Sequence, residues 1–83
     1  MSEYMPTNTA LRITVCDRTS RVGSVAKLSI RLSDNSTWLL PIRAGADWRT
    51  GHMVKVEKTA TAYTLCNLSN HCEYNARFIE FLD

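Results

Sequence analysis

Val25-Ala26-Lys27-Leu28-Ser29-Ile30-Arg31-Leu32-Ser33-Asp34-Asn35-Ser36-Thr37-Trp38-Leu39-Leu40-Pro41-Ile42 is the stretch that decides the fold class. In its first arm Leu28, Ile30 and Leu32 alternate with Lys27, Ser29 and Arg31, the period of two that marks a strand buried on one face. Ser33-Asp34-Asn35-Ser36 breaks the alternation with residues that tolerate the left-handed backbone of a tight hairpin turn. Thr37-Trp38-Leu39-Leu40-Pro41-Ile42 is the returning arm. Pro41 has no N–H to give to a ladder, so this arm is an edge strand or ends near Pro41.

The same period recurs on both sides. Leu11, Ile13 and Val15 alternate with Arg12 and Thr14, ahead of a polar loop over residues 17–24. Met53–Lys58 reads as a strand with Val54 and Val56 inward, and Ala62–Leu68 as its partner with Tyr63 and Leu65 on one face. Glu73–Phe81 is ambiguous: Tyr74, Ala76 and Phe78 alternate as in a strand, while Phe78, Ile79 and Leu82 could line a short helix. Its aromatic and β-branched content favours the strand. Arg43–Gly51 is a connection with room for one helical turn. Short strands about 8–12 residues apart and joined by turns read as an all-β domain. The expectation is a single small barrel, or a strongly curved antiparallel sheet, of five to six short strands. Residues 1–9 are polar, carry Pro6 and show no period, so they are expected to form a flexible leader to one β domain spanning residues 10–83.

With 83 residues the chain is enough for one domain. A domain of this size buries only roughly 60–65% of its unfolded surface, so each large apolar residue counts. Ten Lys and Arg against eight Asp and Glu leave a net charge of +2, too small an excess to demand a nucleic-acid partner. Met1–Pro6 has neither a basic region nor an apolar run, and no stretch reaches the ~20 apolar residues of a membrane helix. Cytoplasmic location without membrane attachment is the expectation.

Catalytic, metal and cofactor chemistry find little to stand on. Cys16, Cys66, Cys72, His52 and His71 form no recognisable nucleophile–base motif. Cys66-x5-Cys72 is looser than the paired spacing of structural zinc sites and occurs once. A short turn over Leu68-Ser69-Asn70 would instead set Cys66 opposite Cys72, where oxidation could join them. Gly23, Gly45 and Gly51 are isolated and build no phosphate loop. The expectation is therefore no catalytic residue, no metal and no cofactor.

Two binding readings remain. Trp48 lies between Asp47 and Arg49 in a connecting segment. Exposed, it would form with Arg49 and Arg43 the kind of aromatic–arginine group that anchors a protein partner; it could equally plug the end of the barrel. That makes the leading expectation a non-enzymatic protein-interaction module, such as a phage or mobile-element inhibitor or adaptor. Alternatively, Arg12, Lys27, Arg31, Lys55 and Lys58 fall on polar strand faces and would give a nucleic-acid-binding barrel if those faces aligned. The Pro41 edge and the last strand also leave a homodimer open.

Leu32-x-Asp34-x-Ser36-x-Trp38, Trp48-x-x-Gly51-x-x-Val54-x-Val56 and Tyr63-x-Leu65-x-Asn67 together resemble a pattern of small, largely uncharacterised bacterial β-rich proteins. It spans about 50 residues, with Asn35 in place of a turn glycine and His52 in place of an acidic residue. The resemblance implies a strand-rich module and brings no active site. Trp38-Leu39, Ala44-Gly45 and Gly51–Val56 also resemble, at longer spacings and with Pro41 interrupting, the swapped-hairpin family of AbrB- and SymE-like proteins. That similarity implies a dimeric DNA-binding or antitoxin-like protein.

Overall fold

A computed structural model describes residues 3–22, 25–42, 48–60, 62–67, 69 and 71–82, with the side chains of 18–22, 25, 26 and 42 outside the description. Six strands follow in order: β1 Leu11–Val22, β2 Val25–Leu32, β3 Ser36–Ile42, β4 Met53–Lys58, β5 Tyr63–Asn67 and β6 Cys72–Phe81. They close into a barrel in the order β1-β2-β3-β6-β5-β4, every neighbour antiparallel. Two three-stranded meanders, β1–β3 and β4–β6, are thus joined by β3 against β6 and by β1 against β4. Glu73–Phe81 is strand, and no helix occurs among the described residues. The helical turn allowed in Arg43–Gly51 falls on residues 43–47, outside the description, and on a turn at Thr50 and Gly51.

The β2–β3 hairpin forms as its residues require. Asn35 takes a left-handed φ of 69°, and its N–H donates to the Leu32 carbonyl at 2.8 Å. Leu28, Ile30 and Leu32 then meet Trp38 and Leu40 inside, joined by Ile13, Val54, Val56 and Leu65. Beyond Leu39 the third strand pairs only with β2, so Pro41 sits where its missing donor costs no second ladder. Gly51 has φ 95°, a conformation costly for other residues, and its N–H donates to Ile13. With the Ile13 N–H bonded to His52, that contact extends the short β1–β4 seam, which has only two paired positions.

Besides one between Thr19 and Val22 in β1, three register shifts alter the simple alternation. In β1, Ile13 faces Leu32 but Val15 faces Arg31, so Thr14 is the extra residue and the inward phase jumps. Cys16 opposite Ile30, and not Val15, then packs on the core. In β6 one shift falls at Tyr74 and Asn75 and another at Ile79. The second keeps Phe78 and Phe81 facing Trp38 and Ser36 while placing Arg77 and Glu80 together on the outer face. Cys66 and Cys72 lie opposite each other in β5 and β6 and form a disulfide, Cα–Cα 4.0 Å.

The domain does not begin at residue 10. Tyr4 is only 2% exposed and belongs to the core, so the segment expected to be a loose leader is anchored there. No helix of the described residues is long and apolar enough to cross a membrane.

Candidate interaction site

One end of the barrel is capped by an aromatic group held by hydrogen bonds. The Tyr4 ring lies 5.0 Å from Trp38, 5.5 Å from Phe78, 5.7 Å from Phe81 and 6.3 Å from Tyr63. Its hydroxyl donates to Asp34, whose other oxygen accepts from the Ser36 N–H at 3.0 Å and from the Ser36 hydroxyl. Ser36 Oγ in turn accepts from Trp38 Nε1 at 2.9 Å. The Tyr63 hydroxyl accepts from the Tyr4 N–H and donates to its carbonyl, each at 3.0 Å. Burial, then the bond to Asp34 and its charge, push the Tyr4 hydroxyl pKa well above the ordinary tyrosine value.

This accounts for the Leu-x-Asp-x-Ser-x-Trp pattern. Asp34, Ser36 and Trp38 are linked in a chain that fixes the hairpin turn and holds Tyr4. Tyr63 grips the same segment, Leu65 is core, and Asn67 Oδ1 accepts from the Ser69 and His71 N–H groups at 3.0 Å in the β5–β6 turn. Trp48, Val54 and Val56 are core and Gly51 makes its turn. The residues of the pattern are architectural.

A groove of about 660 Å³ opens beside the cap. Tyr63, Ala76 and Phe78 line it between the β4–β5 turn, with Glu3, and the Asn75–Arg77 stretch of β6. Lys58 Nζ on its wall is 3.1 Å from Glu3 and 5.8 Å from the centre of the Tyr63 ring. The groove exists because β6 changes partners. Cys72–Ala76 runs against β5, Arg77–Phe81 runs against β3, and past Ala76 the edge formerly covered by β5 has no ladder among the described residues.

The same strand carries three of the four exposed large apolar side chains: Tyr74 (66% exposed), Ile79 (48%) and Phe81 (47%); the fourth is Met5. Two of these three sit at the register shifts. A bulge turns a side chain away from its alternating position, and here each turns an apolar one outward. Sequence reasoning passed over this surface because period two counts Tyr74 as inward and gives no sign of a bulge.

The residues singled out from the sequence are elsewhere. Trp48 is 7% exposed and packs in the core, with its carbonyl accepting from the Cys16 thiol at 3.4 Å. It is a core residue and not an exposed anchor. Arg49 is exposed, and Arg43 lies outside the described residues. Arg12 stands at the β1–β4 seam opposite Met53, with Lys55 exposed further along β4. Lys27 and Arg31 are half-buried on the outer face of β2, and Arg31 Nε is buried with no hydrogen-bond partner among the described residues. Asp17, opposite Ser29, lies between these two cations and breaks the positive face. Lys58 is at the groove, paired with Glu3. The five thus fall on three neighbouring strands, β2, β1 and β4, with Asp17 and Glu3 among them.

Cys66 and Cys72 are bonded to each other, which removes both as thiolate ligands, and no cluster of three or more His, Cys, Asp or Glu side chains able to hold a metal occurs among the described residues. Compared with known protein families, with curated proteins and with solved structures, the chain matches none.

Proposed function

We propose that this protein is a non-enzymatic interaction module, an adaptor or inhibitor, that binds a protein partner through β6. One observation carries the reading: among the described residues Arg77–Phe81 is paired on one side only, borders a groove, and belongs to the strand whose two bulges turn Tyr74 and Ile79 to solvent. An open edge offers main-chain donors and acceptors to an incoming strand, and neighbouring apolar side chains supply burial. The Asp34 carboxylate beside the cap is committed to architecture, since its two oxygens hold Tyr4 and Ser36. The nucleic-acid alternative has weaker support: Arg12, Lys27, Arg31, Lys55 and Lys58 fall on the adjacent strands β1, β2 and β4, but Asp17 lies between Lys27 and Arg31, and Lys58 is paired with Glu3.

A cytoplasmic location belongs to the same proposal. The Cys66–Cys72 disulfide is its sharpest check, because cytosolic thiols are generally kept reduced.

A photo-crosslinking amino acid placed at Tyr74, at Ile79 and, as a control, at exposed Lys55 on β4 tests the reading in cells. The two β6 positions are expected to capture protein and the control is not. Equal capture from all three positions, or none from β6, rejects the proposal.

A further inference from the structure

We infer that the β6 edge binds a second copy of this chain, two β6 strands pairing antiparallel about a two-fold axis between Phe78 and Ile79. This rests on the reading of β6 as the contact surface and names its partner. The argument begins with the bulge at Ile79. In a regular strand Arg77 and Glu80 would point to opposite faces. Because Thr37 faces Glu80, Trp38 faces Phe78 and Leu39 faces Arg77, the two charged residues share the outer face.

A two-fold antiparallel contact at this edge sets Arg77 of each copy opposite Glu80 of the other, and Phe78 opposite Ile79. Such an interface is isologous, so one charge pattern must complement itself, and Arg77 with Glu80 does so twice. Among the described residues the edge available is only Arg77–Phe81, since Tyr63 already pairs with Ala76. A contact this short closes on itself and does not propagate, and its small area makes it a weak dimer.

Sedimentation velocity on the full chain tests the inference over a series from about 1 µM to about 1 mM, the range that brackets a weak contact of this size. Wild type is expected to pass from monomer to dimer within it. Arg77→Glu alone and Glu80→Arg alone each create two like-charge contacts per dimer and are expected to weaken association by at least about tenfold. The double variant Arg77→Glu/Glu80→Arg is expected to recover it. So is an equimolar mixture of the two single variants, which also shows that both are folded.

A wild type that stays monomeric throughout overturns the inference, as does a dimer indifferent to both single reversals. If the wild type is monomeric while Tyr74 and Ile79 crosslink to a different protein, the second copy is rejected and the interaction-module reading stands. If neither association nor crosslinking is seen, both fail.

Discussion

Replacing Tyr4 by alanine tests whether the N-terminal segment is part of the fold. The ring is 2% exposed, touches four other aromatic rings, and its hydroxyl bonds to Asp34. Truncating a buried aromatic to alanine costs about 3–5 kcal/mol. The lower end applies here, because the segment lies at the barrel's end and water can refill part of the space. A domain of this size has only about 5–10 kcal/mol in hand, so about 3 kcal/mol is a large share. With about 4–8 °C of melting temperature per kcal/mol, the midpoint should fall by at least about 12 °C. Thermal unfolding followed by circular dichroism, checked by urea midpoints at unchanged m, measures it, and deleting residues 1–9 should cost at least as much. If both variants melt within about 2 °C of wild type, the cap does not stabilise the barrel and the loose-leader reading is restored.

Three further outcomes follow from the same contacts. The Tyr4 hydroxyl holds its proton more tightly folded than unfolded, so the unfolded chain loses that proton first, and stability should decline as pH rises past the ordinary tyrosine value of about 10. Tyr4→Phe should flatten that alkaline decline in urea titrations at stepped pH; an unchanged slope would assign it to another group. Opening the Cys66–Cys72 bridge, which closes a loop of sequence separation 6, should cost about 2 kcal/mol by loop entropy, read by denaturation of Cys66→Ser/Cys72→Ser against wild type. Trp48→Ala should act as a core deletion and lower stability by about 3–5 kcal/mol in the same assay; a variant as stable as wild type would return Trp48 to the surface.

Much of the barrel is legible in the sequence because its strands are half buried. Leu28, Ile30 and Leu32 declare their face by alternation, Asp34-Asn35 declares the turn, and Val54 with Val56 declares a third strand. The β5–β6 turn even foreshadows that Cys66 and Cys72 face each other. What alternation cannot convey is an extra residue. Thr14 shifts the inward phase from Val15 to Cys16, and Ile79 brings Arg77 and Glu80 to one face; neither carries a mark in its own side chain. Tyr4 was missed for a different reason. Its partners Asp34 and Tyr63 are 30 and 59 residues away, so no local pattern announces its burial. Trp48 misleads because its charged sequence neighbours suggest exposure, although it is buried in the core.

The proposed contact surface is illegible for the same reason as the bulges that build it. In the barrel Arg12, Lys27, Arg31, Lys55 and Lys58 lie on the adjacent strands β1, β2 and β4 with Asp17 and Glu3 among them, and the exposed apolar residues of β6 are the more distinctive feature.

Amide hydrogen exchange of Arg77–Phe81, followed by NMR in dilute and concentrated samples, tests most directly whether this β6 edge is the contact surface. The amides of this stretch that are not bonded to β3 should exchange rapidly when dilute and gain protection as copies associate. Unchanged exchange there, with protection appearing instead on β2 or β4, would contradict the account.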